Sequence, residues 1–240
     1  MLYRKFEIPE HMKFDSRMHI PSGMVLSELE IAERQLSDWQ RARLGKITAS
    51  KFGLVRRLKN GDWGETALSY LYDLLGEHLT GEPSQTFTGS DATEWGNLYE
   101  REAIEAYTRR TGRKVWAGAF VQHPQLALVG GTPDGLVGEK GIIEVKCPFT
   151  FKNHLRTVIT RTVPDEYLDQ CLGLMALTGR QWCDFVSYDP RIPAKHRHAR
   201  LVVVRVWRKE HLDRIGALVE RVTDFHELLL EKLATLKVKP

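Results

Sequence analysis

Two short apolar runs separated by a glycine-rich segment place the tightest limit on how this 240-residue chain can fold. The runs are residues 126–129 and 142–145, and residues 138–141 (Gly-Glu-Lys-Gly) form a turn signal between them. Apolar runs bounded by glycines are typical of strands joined by a tight turn. This stretch therefore predicts a β-hairpin whose two strands are the two apolar runs.

The second predicted strand carries two charged residues on one face. Successive side chains alternate across a strand, so Glu144 and Lys146 point to one side while Ile143 and Val145 point into a core. Asp134 lies just past the first predicted strand, on a Pro-Asp-Gly turn that brings its carboxylate toward Glu144. Two carboxylates and a lysine are thereby predicted to meet at the hairpin.

These groups suit a magnesium ion and a phosphodiester. Hard cations take oxygen ligands and keep several waters, so Asp134, Glu144 and the backbone carbonyl of Val145 form a half-open site. An ion there lowers the pKa of a water and clamps the oxygens of an in-line displacement. Lys146 would orient the attacking water, help its deprotonation, or neutralise charge on the phosphorane oxygens. The alternative, equally open on these residues alone, is a simple turn followed by an exposed strand edge with an ion pair.

Two segments of the chain carry basic residues and no acids. Residues 41–61 contain seven Lys and Arg side chains, and residues 190–209 contain another seven. A helix is predicted to begin at Thr48 or Ser50, and helix N-termini attract phosphate. The first segment therefore predicts a phosphate-binding patch and the 191–200 loop a clamp for DNA, with a solvated basic face as the neutral alternative.

Hydrophobic periodicity places the remaining elements. Helices are predicted over residues 48–58, 65–79, 92–110, 164–178 and 212–236, and strands over residues 182–188 and 201–207. The second of these strands is predicted to be central, because Val202, Val203 and Val204 are contiguous. Strands and helices in this order predict an α/β domain with a mixed central sheet flanked by helices.

Length and composition limit the class of protein. A chain of 240 residues is long enough for one sizeable domain, and its net charge of +4 favours an anionic partner only weakly. Cys147, Cys171 and Cys183 form no C-x-x-C pair, so they are predicted to be reduced core residues. No run reaches the ~18 apolar residues of a membrane span and no signal-peptide pattern is found, so a cytoplasmic protein without membrane contact is expected.

The spacing Pro133-Asp134 … Glu144-Val145-Lys146 resembles the signature of the PD-(D/E)xK nuclease superfamily. With Cys147-Pro148-Phe149 following, the chain is similar in particular to the lambda-type phage exonucleases, the alkaline exonucleases of phage recombination systems. Further motifs occur in that family's order: Trp39 … Arg43-Leu44-Gly45 … Ile47-Thr48-Ala49-Ser50, Trp95-Gly96 … Tyr99-Glu100, Tyr167 … Gln170 and Tyr188-Asp189-Pro190-Arg191. The resemblance covers about residues 36–192 and implies a restriction-endonuclease-like core.

The resemblance also implies roles for residues outside the hairpin. It makes Glu100 an additional metal ligand, and it places Arg43 and Ser50 near the 5′-phosphate end of the DNA. Gln170 would join Lys146 in placing the nucleophilic water. On the residues alone, Gln170 either bonds a water or phosphate or makes an ordinary surface contact, and Glu100 borders an apolar stripe as a solvated acid.

The implied activity is 5′-to-3′ digestion of linear double-stranded DNA, with Mg²⁺ as the cofactor and Mn²⁺ as a substitute. Such an enzyme releases 5′-mononucleotides and leaves 3′ single-stranded DNA for recombination by strand annealing. The same resemblance implies a homotrimeric ring and a single-strand annealing protein as partner. Two alternatives stay open: a structure-selective or site-specific endonuclease of the superfamily, and a non-catalytic DNA-binding module that uses only the basic patches.

The expected domain organisation follows the reach of these motifs. Residues 1–34 form an N-terminal extension of unknown role, and residues 35–240 form a single exonuclease domain. Within that domain the nuclease core is expected over about residues 90–210 and the C-terminal helix over about residues 210–237.

Overall fold

A computed structural model of the chain describes residues 40–84 and 91–239. The strands are β1 (Ile47–Thr48), β2 (Val115–Trp116), β3 (Val121–Gln122), β4 (Val129–Gly131), β5 (Gly135–Val137), β6 (Gly141–Lys146), β7 (Trp182–Tyr188) and β8 (Leu201–Trp207). The helices are α1 (Glu65–Thr80), α2 (Asp91–Thr111), α3 (Phe151–Thr160), α4 (Asp165–Thr178), α5 (Arg197–Arg200) and α6 (Leu212–Thr235), with 3-10 turns at Ala49–Leu54, Ala194–His196 and Arg208–Glu210. The predicted N-terminal extension lies outside the described residues, and the predicted domain bounds stay a prediction.

A mixed five-stranded sheet forms the centre of the fold, in the order β2-β5-β6-β7-β8. Strands β6 and β7 run parallel, with Lys146 opposite Ser187, and the other neighbouring pairs are antiparallel. The carboxyl ends of β6 and β7 therefore lie at the same edge of the sheet. The predicted α/β architecture with a mixed central sheet is confirmed.

Helices cover both faces of this sheet. On one face, Ala103 and Tyr107 of α2 belong to the same buried cluster as Ile143 and Val145 of β6. On the other face, α4 packs against the sheet and α1 and α6 pack behind it in a second, larger cluster. Because β6 is covered on both faces, almost all of its side chains are buried, including the charged Glu144.

A smaller sheet in the order β1-β4-β3 lies against α4 and the Ala49–Leu54 turn. Strand β4 consists of Val129, Gly130 and Gly131. A Cβ at Gly131 would lie 2.7 Å from the Cβ of Ala49, so only glycine admits this approach. Glycine at this position therefore allows the small sheet to pack closely against the Ala49–Leu54 turn.

The predicted hairpin is correct for its second strand and wrong for its first. The partner of β6 is β5, with Gly135 opposite Ile143, whereas residues 126–129 lead into β4 of the other sheet. The turn explains the error. Gly138 has a φ of 54° and begins the turn immediately after Val137, the last residue of β5. The strand that pairs with β6 must be the one that immediately precedes this turn.

Two other predicted elements differ from the structure. The helix expected over residues 48–58 is replaced by β1 and the Ala49–Leu54 turn. Strand β8 lies at the edge of the sheet and is not central. Its valines are contiguous because the strand is covered on both faces: Val202 is buried on the face of Val206, which belongs to the larger cluster, and Val203 packs against the other cluster. Contiguous apolar residues therefore indicate that both faces of a strand are buried. They do not indicate whether the strand lies at the centre or at the edge of the sheet.

The long helices agree with their predicted bounds to within two residues. Helix α4 begins after Pro164 and ends at Gly179, whose φ of 69° suits a glycine C-cap. Helix α3 was not expected from the sequence. All three cysteines are buried and reduced, as predicted. Among the described residues, none of the helices is long and apolar enough to cross a membrane.

Candidate active site

The segment before β5 and the strand β6 bring Asp134 and Glu144 together. The Val145 backbone N–H donates to Asp134 Oδ2 at 2.6 Å, which fixes the first carboxylate beside the strand that carries the second. The two carboxyl groups lie near enough for one to hydrogen-bond the other when it holds a proton. The structure thus assembles the pair of acids that the sequence predicted to meet.

Glu144 is fully buried and only half satisfied. Its Oε1 accepts hydrogen bonds from Lys146 Nζ at 2.5 Å and from Gln170 Nε2 at 2.6 Å. Its Oε2 is also buried and has no hydrogen-bond partner among the described residues. A buried carboxylate oxygen without a donor is costly, so this atom is set up to receive a cation.

The charges of the site shift one another's pKa values. Burial and the neighbouring Asp134 carboxylate raise the pKa of Glu144 to about 8. Burial also raises the pKa of Asp134, against the opposing charge of Lys146. For Lys146, burial alone would lower the pKa, but the carboxylates of Glu144 and Asp134 outweigh it and raise the pKa above its ordinary value. Lys146 therefore stays a cation.

A cleft of about 330 Å³ opens beside these residues. Its lining includes Glu100 of α2, Val145, Lys146 and Tyr167, whose ring centroid lies 5.3 Å from Lys146 Nζ. Burial and the charge of Asp134 raise the pKa of Glu100 to about 7, which places Glu100 within electrostatic reach of the pair. Among the described residues, no three His, Cys, Asp or Glu side chains are gathered closely enough to hold an ion by themselves.

Arg43 and Ser50, 90 residues before the acids in the chain, also belong to this region. Arg43 Nη2 donates to Ser50 Oγ at 3.0 Å. Burial lowers the pKa of Arg43, while Tyr70 and the Glu144 and Asp134 carboxylates act in the opposite direction. The structure therefore brings the two residues expected at a 5′-phosphate together, with Arg43 within electrostatic reach of the acids.

Several of the basic side chains in the two acid-free segments are paired with acids from elsewhere in the chain. Arg57 pairs with Asp224 at 2.9 Å, and Arg56 lies 3.9 Å from Asp169, so both serve contacts between elements of the fold. In the second segment, Arg205 pairs with Asp184 at 2.7 Å and Arg200 with Glu102 at 2.9 Å. An acid-free stretch of sequence thus meets acids that come from elsewhere in the chain.

One supporting group beside the cleft was missed from the sequence. Arg191 is held by Asp189 at 2.6 Å and donates to the backbone carbonyls of Phe149 and Pro148 at 3.0 and 3.3 Å. Its guanidinium also lies 4.8 Å from the ring centroid of Trp95 on α2. Arg191 therefore ties the segment that follows Lys146 to the helix that carries Glu100. The Tyr188–Arg191 motif carried the signal, but no contact to Phe149 follows from it.

Comparison with known proteins adds a family and a set of related folds. The sequence model of the family of YqaJ-like viral recombinase domains matches residues 38–181, more than half of the chain. No curated protein matches the chain.

Solved structures of exonucleases share this fold. An alkaline exonuclease from Laribacter hongkongensis (LHK-Exo) is 36% identical, with 84% of this chain and 96% of that chain covered and a TM-score of 0.74; its complex with dAMP gives the same values. A phage-related exonuclease from Haemophilus somnus 129PT is 19% identical, with 78% of this chain and 96% of that chain covered and a TM-score of 0.60, and shows the fold alone.

Proposed function

The chain belongs to the family of YqaJ-like viral recombinase domains, and on that premise we propose that it hydrolyses phosphodiesters at the ends of linear double-stranded DNA. The chain is a nuclease of the phage alkaline exonuclease type, as the 36% identical LHK-Exo is an alkaline exonuclease. The observation that carries the proposal is the buried, unpartnered Oε2 of Glu144 beside the carboxyl of Asp134.

The donor set fits a hard divalent cation. Asp134 and Glu144 would hold Mg²⁺, or Mn²⁺ in its place, together with the carbonyl of Val145, and Glu100 would act as an auxiliary ligand from across the cleft. When bound, such an ion activates water and stabilises the negative charge of a displacement at phosphorus. Glu144 Oε2 supports this assignment because no described protein donor reaches it.

Lys146 and Gln170 would position the reacting groups. Both already donate to Glu144 Oε1, so that oxygen is held and the carboxylate cannot turn freely. Lys146 keeps its proton next to two acids, so its ammonium is a fixed positive charge rather than a base. We assign it to orienting the attacking water and to stabilising charge on the phosphate oxygens, with Gln170 holding the same water.

Arg43 and Ser50 would hold the 5′-phosphate of the DNA end. A guanidinium binds phosphate through two parallel N–H donors, and the Ser50 hydroxyl adds a third. Because the enzyme would bind a 5′ end, it would digest the strand in the 5′-to-3′ direction. Each cleavage would release a 5′-mononucleotide, and the complementary 3′ strand would remain single-stranded for annealing. The complex of LHK-Exo with dAMP supports a mononucleotide product.

One gel experiment tests this function. Linear duplexes with a 5′-phosphate or a 5′-hydroxyl are compared with a closed circle, with and without Mg²⁺. We expect Mg²⁺-dependent loss of the linear duplex as mononucleotides, faster with the 5′-phosphate, and no attack on the circle. Cutting of the circle would instead show an endonuclease, and binding without any product would show a DNA-binding module.

We also propose that the enzyme works as a homotrimeric ring beside a single-strand annealing protein, in the cytoplasm of a bacterial or phage-infected cell. A ring uses two different, complementary surfaces of each subunit. The long helix α6 offers exposed Leu212 and Val219 for one of them, and Leu236 at its C-cap is exposed as well. Light scattering at micromolar concentration should give the mass of three chains. The mass of one chain in the presence of DNA and Mg²⁺ would exclude the ring.

A further inference from the structure

A second groove lies on the other side of α2 from the cleft. It has a volume of about 780 Å³ and is bounded by α2, the end of β7, the start of β8 and α5. Residues 100 and 102 are about 200° apart around a helix, so Glu100 faces the cleft while Glu102 faces this groove. Helix α2 therefore separates two depressions, and both lie near the edge of the sheet where β6 and β7 end.

The groove is strongly basic. Its lining includes Arg109 and Arg110 from α2, and Arg197, His198 and Arg200 from α5. Of the described residues that line it, Glu102 is the only acid, and it accepts hydrogen bonds from Arg200 and from the Tyr188 hydroxyl. The basic residues come from segments some 90 positions apart in the chain, so only the folded structure brings them together.

Two of these guanidinium groups are held in place by the protein. Arg110 Nη1 donates to the Leu201 carbonyl at 2.6 Å, and Arg200 Nε donates to the Tyr188 hydroxyl at 2.9 Å. A guanidinium has five N–H donors, so each group keeps donors for a ligand after these contacts. Fixed guanidinium groups bind phosphate with less loss of side-chain freedom than mobile ones. Arg197 and His198 are exposed at the rim of the groove.

We propose that this groove holds the phosphodiester backbone of the DNA strand that is not cut. The proposal rests on the proposed function, since a strand cut in the cleft must part from its complement nearby. Charge complementarity favours a polyanion. Of the described residues that line the groove, Tyr188 is the only Phe, Tyr or Trp and it is buried, so the contacts are made mainly to phosphates and not by stacking on bases. Helix α2 then stands between the two separating strands.

Binding of tailed DNA tests the proposal. The probes are a blunt fluorescent duplex and the same duplex with a 3′ single-stranded thymidine extension of about ten nucleotides, in a length range that single-strand sites accept. Anisotropy is measured with EDTA present, which prevents cleavage. We expect the wild-type chain to bind the tailed duplex more tightly than the blunt one. The variant Arg109→Ala/Arg197→Ala should lose this advantage, with about tenfold weaker binding and a salt slope lower by about 1.4, at about 0.7 for each lost phosphate contact.

A matched control distinguishes the loss of a groove contact from the loss of positive charge anywhere on the protein. Arg101→Gln removes a cation from the same helix, where the side chain is 91% exposed and lies outside the groove. This variant should keep the tail advantage. If the double variant does not fold, Arg197→Glu at its exposed rim position replaces it, with the same expectation.

Three results would overturn the proposal: no tail advantage in the wild-type chain, an unchanged advantage in the groove variants, or an equal loss in Arg101→Gln. Poly-glutamate serves as a further probe. If the groove variants lose binding of poly-glutamate but bind tailed DNA as the wild-type chain does, the groove belongs to an acidic protein segment, which also overturns the proposal. The gel described above keeps the two proposals apart. A chain that cleaves linear DNA but shows no tail advantage excludes the groove alone, whereas one that keeps the advantage without cleaving excludes the nuclease.

Discussion

Two buried acids, Asp169 on α4 and Glu144 on β6, have opposite surroundings. Asp169 is 4% exposed and accepts from Arg214 at 2.8 Å and from Arg221 at 3.0 Å, with Arg56 at 3.9 Å. Glu144 is fully buried, yet its donors, Lys146 and Gln170, share a single oxygen. The next residue after Asp169 is Gln170, so one turn of helix serves both carboxylates.

The difference separates an acid that stabilises the fold from an acid prepared for a ligand. At Asp169 both oxygens have partners, so its burial is compensated within the protein. At Glu144 one oxygen has no partner within the described part of the chain, and a second carboxyl lies alongside. A protein tolerates such an arrangement where a bound ion supplies the missing positive charge.

The largest expected effect is on cleavage by Glu144→Gln. The amide keeps the shape of the side chain and removes the charge that holds the ion, so we expect DNA cleavage to fall by about 10³-fold, as for other groups that stabilise charge. Above about pH 8, where the metal-free wild-type Glu144 is ionised, the metal-free variant should unfold at the same or a higher temperature, because a buried negative charge is gone. Lys146→Ala should also abolish cleavage while DNA binding persists. Near wild-type rates in either variant would contradict the assigned site.

Asp169→Asn should give the converse result. Breaking a buried ion pair costs about 3–5 kcal/mol, and the partial exposure of the arginines reduces our expectation to about 2 kcal/mol of unfolding free energy. Urea unfolding measures this loss, and cleavage per folded molecule should stay within tenfold of wild type. Asp224→Asn is the control, because its pair with Arg57 is exposed and should contribute less than about 1 kcal/mol. Equal losses in the two variants would contradict a stabilising role specific to Asp169.

The third prediction concerns pH and metal. In the metal-free protein the pKa of Glu144 is raised to about 8 and that of Glu100 to about 7, both above their ordinary value. Because these pKa values are higher in the folded than in the unfolded chain, the two carboxyl groups contribute to the free energy of unfolding. Their contribution is fully present below about pH 4.5 and is lost as the pH rises through 7 and 8. Mg²⁺ replaces the protons, so the rise in melting temperature on adding Mg²⁺ should be small at pH 6 and large at pH 9.

The same two variants test this pH dependence. Asp169→Asn should keep the Mg²⁺-induced rise in melting temperature and its increase with pH, whereas Glu144→Gln should lose most of both. A rise that is independent of pH in the wild-type chain would show that Mg²⁺ binds elsewhere.

The smallest effect is expected for Arg43→Ala. Its side chain contacts Ser50 and lies within electrostatic reach of the acids, so its loss should reduce the preference for a 5′-phosphorylated end by about tenfold, the size of one charge-assisted contact. Cleavage rates on phosphorylated and hydroxyl ends measure this preference. An equal loss on both ends, with a salt slope lower by about one unit, would instead make Arg43 one of many backbone contacts.

The sequence predicts local parts of the site well. Glu144 and Lys146 share a face because side chains alternate along any strand, and the Pro-Asp-Gly turn does bring Asp134 to that strand. The partner strand was misassigned because Gly135–Val137 is short and contains a glycine, whereas residues 126–129 are continuously apolar. A run's hydrophobicity indicates burial and does not identify its hydrogen-bonded neighbour.

Contacts between distant segments needed the fold or the family resemblance. The bond of Gln170 to Glu144 depends on how α4 docks on the sheet, and the placement of Arg43 depends on the small sheet. The two arginines that donate to Asp169, Arg214 and Arg221, come from α6, and no local pattern links them to α4. For the same reason the acid-free segment 41–61 overstates the charge available to DNA, since Arg56 and Arg57 meet acids of other helices.

The parallel pairing of β6 with β7 sets the order in which a newly made chain acquires its chemistry. The hairpin of β5 and β6 closes over a three-residue turn, whereas α3 and α4 lie between β6 and β7. Closing the longer loop loses more chain entropy, so distant parallel pairing forms slowly. Asp134 and Glu144 can therefore meet while the ribosome is still adding β7, before Gln170 is held beside them. During synthesis the chain carries its acids without the amide that helps to orient them, and cutting has to wait for the complete fold.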